Sequence, residues 1–188
     1  MPLEQTVAAI ELCGKGLRLR PWQSQDAESL CDAAQSSLST VGHWLPWCHA
    51  NYALEDARAW IAFCKHGWSH AEHFAFAVFD DGSGQLLGGV GLNQRNLKHR
   101  SANLGYWVRQ SRQGEGIAAR AASLVAGFGF ERLGLIRLEI VTLPDNGASR
   151  RTAEKIGAKF ETLARHRLWV QKEPMDAVVY ALIRADMT

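Results

Sequence analysis

No stretch of this 188-residue sequence approaches the roughly 18 consecutive apolar residues that a membrane-spanning helix needs. The first dozen residues carry Glu4 and Glu11 and no long apolar run. No signal peptide is expected, and a cytoplasmic location is. Cysteine is sparse. Cys13, Cys31, Cys48 and Cys64 are too far apart for any Cys-x-x-Cys pair, which argues against a zinc site or a redox dithiol. They read as buried or half-buried thiols of a reducing compartment, and no metal is expected. An excess of one charge is also missing. Lys and Arg number 21, Asp and Glu 19, for a net charge of +2. That is too small to point to DNA or a membrane surface, although a local basic patch could hold a phosphorylated ligand. Repeats and low-complexity segments are absent. The expectation is one domain over residues 15–188, behind a loosely ordered lead-in over 1–14.

What is present is the composition of a globular α/β chain, 47% hydrophobic and 21% charged. Leu17 to Arg20 alternates and stops at Pro21, as a short first strand would. Ser24 is placed to cap a helix reaching about Ala34, with Asp26 and Glu28 in its first turn. Ser36 to Tyr52 is irregular and rich in aromatics. Trp60, Ile61 and Cys64 have helical spacing within Leu54 to Lys65. The period then becomes two: Phe74, Phe76 and Val78 lead to an Asp81-Gly82 turn, and Leu86 to Leu92 forms the partner strand. A further strand covers Ala102 to Val108, and a long helix runs from about Gly116 to Glu131 with Gly134 as its stop. A strand over Leu135 to Val141, a helix over Asn146 to Ile156 and strands over Lys159 to Arg165 and Ala177 to Ile183 complete a mixed α/β domain around a central sheet.

The chemistry concentrates at Gln113, Gly114, Glu115, Gly116, Ile117 and Ala118, between a strand and a helix. Glycines let main-chain N–H groups wrap phosphate oxygens, and the helix start adds free donors and partial positive charge. Arg109 and Arg112 just ahead would add charge. No Lys followed by Ser or Thr comes after the glycines, which excludes a nucleoside-triphosphate loop. The three glycines of a dinucleotide fold are missing as well.

The pattern Gln-x-x-Gly-x-Ala, preceded by Leu104-Gly105-Tyr106-Trp107 and followed by Asn146, Ser149, Glu154, Lys155 and Gly157, resembles the Gcn5-related N-acetyltransferase (GNAT) superfamily. The likeness runs from Leu17 to Ile183. Within the superfamily it is similar to the branch that acetylates protein N-termini, including ribosomal-protein alanine and serine acetyltransferases. The resemblance implies a splayed central sheet flanked by helices, with acetyl-CoA as co-substrate. It implies that the strand Leu104 to Val108 carries a bulge and parts from its neighbour. Coenzyme A's pantetheine arm would then meet the main chain of Trp107, Val108 and Arg109, and its pyrophosphate the loop Gln113 to Ala118. Asn146, Ser149 and Arg151 would also face the coenzyme; Arg150 and Arg151 would meet its 3′-phosphate, with a solvated helix face as the equal alternative for both. Many relatives place a tyrosine before the Glu-Lys-x-Gly frame to protonate the leaving thiolate. Ala153 stands there, so Ser149 is the candidate for that role.

The reaction so implied is direct transfer of acetyl to an amine, with the oxyanion expected on a main-chain N–H, that of Val108. Glu139 is the first choice of general base; an ion pair with Arg137 is the structural alternative. Glu72, His73, His43 and His49 are the other candidates. Trp44 and Trp47 are expected to wall the acceptor side. The expected acceptor is a peptide N-terminus, with a small amine as the second reading and a non-catalytic acyl-CoA-binding module as the third. The resemblance also allows a homodimer through sheet edges.

Overall fold

A computed structural model describes residues 10–187, so most of the expected lead-in lies outside the described residues. Its last part is ordered: Leu12–Gly14 is a strand, β1, paired antiparallel with Leu17–Pro21, β2. The expected first strand is therefore the second. Ser24 does not cap the next helix. Ser24–Asp26 is a single 3-10 turn, and the helix α1 follows at Ala27–Gln35. Asp26 turns back to accept the Gln23 N–H at 2.8 Å and forms a two-pronged ion pair with Arg20, both contacts at 2.8 Å. A buried carboxylate with a charged partner and a capping bond does more here than a serine cap would.

The aromatic stretch holds one short helix, α2 (Val41–Trp44). Helix α3 spans Leu54–Ser69, four residues past its expected end, because Ala57, Ile61, Cys64 and Trp68 keep one buried face. Strand β3 is Phe74–Asp80, β4 Leu86–Asn96 and β5 Ser101–Val108. Helix α4 (Ile117–Glu131), β6 (Arg137–Thr142), α5 (Gly147–Lys155), β7 (Lys159–Val170) and β8 (Glu173–Leu182) follow. The last two strands outrun the sequence expectation because they form a long hairpin whose register slips at Phe160–Thr162 and Ala164–Leu168. Such bulges hide strand periodicity.

The eight strands form one sheet in the order β1-β2-β3-β4-β5-β6-β8-β7. One face is covered by α4 and α5 over a core that includes Phe76, Leu92, Leu104, Val125, Leu138 and Tyr180. The other is covered by α1 and α3 over Leu30, Ala57, Ile61, Ala77 and Phe79. Only β5 and β6 are parallel neighbours, and they touch at just three pairs: Ser101–Arg137, Ala102–Leu138 and Asn103–Glu139. Beyond them the strands part. The expected bulge within Leu104 to Val108 is not found: pairing with β4 is unbroken from Asn93–Asn103 to Gly88–Val108, and the irregularity lies at Asn93–Asn96. Among the described residues no helix is long and apolar enough to cross a membrane.

Candidate active site

The parting of β5 from β6 leaves main-chain groups without partners inside a sheet, and the register says which. The Arg109 N–H donates to the Leu87 carbonyl at 2.8 Å. Alternation along an antiparallel ladder then turns the main chain of Asn103, Gly105 and Trp107 toward β4 and that of Leu104, Tyr106 and Val108 the other way. Leu104 completes the last pairing with β6 through its N–H, and Tyr106 and Val108 face the opening. Of the three expected main-chain contacts, only Val108 faces the gap. Its carbonyl accepts from Gln113 Nε2 at 2.9 Å, which leaves the N–H. Arg109 is spoken for: its guanidinium pairs with Asp32 at 2.8 Å and donates to the Leu86 carbonyl.

The loop after β5 opens at the same place. Gly114 and Gly116 have φ of +83° and +72°, and a Cβ on either would meet nothing within 4 Å. The glycines are thus required by backbone conformation, and the space above them is free for a ligand. The N–H groups from Gly114 to Ala118 donate to no protein acceptor among the described residues, as the start of a helix leaves them. Beneath, Ile117 is buried and anchors the turn. Glu115 does not face the ligand space. It clamps Arg112 at 2.8 and 2.9 Å, and that contact holds the Glu115 carboxyl below its ordinary range. Arg112 is therefore largely neutralised.

Across the gap Asn146 caps α5, its Oδ1 accepting the Ser149 N–H at 3.0 Å. Ser149 is half-buried and lines the cleft. Its Oγ lies 3.2 Å from Tyr106 Oη. The two arginines of α5 separate: Arg150 is drawn to Tyr180 Oη and the Pro144 carbonyl, whereas Arg151 lines the cleft. Ala153 is fully buried in the core.

The cleft encloses about 1430 Å³, above the roughly 300–1,000 Å³ usual for one small ligand, so there is room for two. One end of it is made of side chains: Trp44 and Trp47 line it, joined by Trp107, Tyr52, Trp60 and Phe63. Trp47 stands 5.3 Å from Trp107 and 5.8 Å from Tyr52, both edge-on. From α3, Asp56, Trp60 and Phe63 point into the mouth, with Trp60 and Phe63 exposed. The sequence groups Trp60 with Ile61 and Cys64 at helical spacing; the structure buries Ile61 and Cys64 and leaves Trp60 exposed on the flank of that face, with Phe63 beside it. On the floor Asn103 Nδ2 donates to Asn93 Oδ1 at 2.9 Å.

The base candidates also sort out. Glu139 stands beside Asn103 where the strands part. Its carboxylate accepts from Arg137 at 3.0 Å and lies 3.9 Å from Arg167, and it is not part of the cleft wall. His73 is buried, and its ring tip is wedged against α3: a Cβ on Gly67 would fall 2.0 to 2.3 Å from three ring atoms. Burial lowers its pKa. Its ring also borders the cleft, with Nε2 unpartnered. Exposed Glu72 and His49 line the cleft, while His43 does not. Among the described residues no three His, Cys, Asp or Glu side chains gather as a metal ion would need.

The family described as "Acetyltransferase (GNAT) domain" matches residues 16–159. The chain belongs to the GNAT acetyltransferase family. Bacillus subtilis YdaF, provisionally named a ribosomal N-acetyltransferase, is 27% identical over 90% of this chain and 92% of its own. A Vibrio cholerae structure, provisionally named a ribosomal-protein-serine acetyltransferase, is 30% identical with a TM-score of 0.82, covering 94% of this chain and 99% of that one. RimL, a ribosomal L7/L12 α-N-protein acetyltransferase solved with coenzyme A, shares the fold at a TM-score of 0.84 and 19% identity, over 93% and 98% of the chains. The eight-stranded mixed sheet is thus a GNAT sheet, and the enzyme is an acyltransferase.

Proposed function

We propose that this GNAT enzyme transfers acetyl from acetyl-CoA to the α-amine at a protein N-terminus, in the cytoplasm. The observation that carries the reading is the continuous surface joining the parted strands to the glycine loop: free main-chain groups at Tyr106 and Val108, beyond the last β5–β6 pairing at Asn103–Glu139, then the unpartnered amides from Gly114 to Ala118. The first set suits the amide-bearing pantetheine arm and the second a pyrophosphate. Arg151 lies in the same cleft for the remaining phosphate.

The acceptor end favours a chain terminus. Aromatic walls grip a flexible segment, and the Asn93–Asn103 amide pair offers partners for peptide groups. The family relatives named for ribosomal proteins point the same way. An α-amine with a pKa of about 8 is partly neutral near pH 7 and needs modest help. Glu139 supplies it through water beyond Asn103, and Val108 N–H holds the negative charge that develops on the thioester oxygen. Ser149 gives its proton to the departing sulfur.

A small amine is the second reading, because Asp56 and Glu72 place two carboxylates on the cleft. Incubation with acetyl-CoA and either N-terminal peptides or polyamines, read by mass and by thiol release, separates the two. Acetyl on the peptide α-amine supports the proposal. Acetyl on polyamines alone replaces it with the second reading, and coenzyme binding without transfer to any amine would leave a binding module. Glu139→Gln should lower kcat by about 10². If Glu72→Gln does so instead, the base is Glu72.

A further inference from the structure

Two observations at the parted strands have no part in binding. Tyr106 is a buried phenol that crosses from β5 to the first turn of α5, where its Oη meets Ser149 twice, 3.0 Å from the carbonyl and 3.2 Å from Oγ. Ser149 is pinned on both sides, by Asn146 at its N–H and by Tyr106 at its C=O. The other hydroxyls of α4 and α5 behave differently. Ser123 donates to the carbonyl of Ala119 and Thr152 to that of Ala148, the usual bond four residues back. Ser149 Oγ is instead matched to the phenol.

The geometry points to a proton relay in which Tyr106 backs Ser149 as proton source for the leaving sulfur. This rests on the acetyl-transfer reading and on Ser149 as donor. The phenol has one proton and two acceptors. At rest that proton goes to the Ser149 carbonyl, and the phenol oxygen accepts the Ser149 Oγ–H. As the amine nitrogen bonds to the acyl carbon and the C–S bond breaks, the electron pair goes to sulfur. The Ser149 Oγ–H turns to that sulfur and its proton moves there. The phenolic proton swings from the carbonyl to Oγ and restores the hydroxyl. The phenolate then takes a proton from solvent, equal to the one the amine released, and the balance closes. Burial pushes Tyr106 up to about 12, so the phenol keeps its proton through the neutral range while remaining a stronger acid than an aliphatic alcohol. Tyr106 is a positioning and relay residue that need not touch substrate.

The test uses the full chain with Tyr106→Phe, Ser149→Ala, the double variant and Ser149→Thr. Three readouts are taken: kcat and KM, the melting temperature, and the pH titration of bound coenzyme A's thiol followed by thiolate absorbance. Tyr106→Phe should lower kcat about 10- to 100-fold, with KM for acetyl-CoA within about twofold, and raise the bound thiol's titration midpoint. Ser149→Ala should do the same, the double variant should be no worse than the poorer single, and Ser149→Thr should recover activity. Wild-type kcat and an unmoved thiol midpoint in Tyr106→Phe would overturn the relay. So would a lower melting temperature and higher KM with kcat intact, since that is a packing role. If no amine is acetylated, the thiol titration still reads the Tyr106–Ser149 pair. Turnover that ignores Tyr106 sinks the relay alone.

Discussion

At the end of the cleft proposed for the coenzyme a ligand meets main chain: amides of a helix start and unpaired groups of one strand. At the end proposed for the acceptor it meets side chains: six aromatics, a pair of asparagines and scattered carboxylates. The first surface is fixed by φ angles and strand register, which a few residues dictate. The second depends on where rings from α2, α3, β5 and the intervening loop converge. One fold can therefore keep its coenzyme grip while changing acceptors, because the two ends share few residues.

The sharpest way to break that contrast is at the loop. Gly116→Trp puts a side chain at φ +72° into the space a pyrophosphate would fill. Calorimetry should show acetyl-CoA affinity reduced at least about 100-fold, from strain and blockage together, in a protein that still folds. Tight binding by the variant would mean the loop is not the anion site. At the other end, Trp47→Ala should raise the acceptor KM about 5- to 20-fold and leave acetyl-CoA affinity unchanged, by the same calorimetry. If both change together, the two ends are not independent.

A smaller effect tests whether His73 belongs to chemistry or to packing. Gly67→Ala would gain about 1 kcal/mol of helix propensity, but its Cβ collides with the imidazole, and overpacking costs about 1–3 kcal/mol. Net destabilisation is expected, seen as a melting temperature lower by a few degrees and relieved in Gly67→Ala/His73→Ala. The smallest effect follows from the same ring. Its folded pKa is lowered by burial, so the unfolded chain binds a proton more readily. Stability should fall as pH drops below the ordinary histidine value of about 6.5. His73→Gln should flatten that slope in denaturant titrations from pH 7 to 5. An unchanged slope would place the linkage elsewhere.

The unequal legibility of the two ends follows from how they are built. Gly114, Gly116 and Asn146 announce themselves because positive φ and helix caps demand particular residue types. The long helix over Gly116 to Glu131 and the hairpin of β3 and β4 declare their periods. Strand parity does not. Nothing in Tyr106-Trp107-Val108-Arg109 says which residue bonds β4, and that choice moves the free main-chain groups to Tyr106 and Val108. Distant side-chain capture hides equally well: Arg109 goes to Asp32, a partner that tertiary packing selects, whereas the Glu139–Arg137 pair is legible as the alternative to a base role. Asp26 read as a helix-start charge and is a buried counter-ion of Arg20. Cys13 read as at least half-buried and is exposed, while Cys64 is fully buried and its thiol is pushed up to about 12.

The three-residue seam between β5 and β6 has a mechanical side. Every other adjacent long strand pair in the sheet shares at least five matched residues, so the domain is two plates, β1 to β5 and β6 to β8, sewn together along one short margin. Tilting one plate against the other strains few hydrogen bonds. Amide hydrogen exchange should find the seam at Ser101 to Asn103 less protected than the middle of β4, and a ligand lying in the gap would act as a second row of stitching.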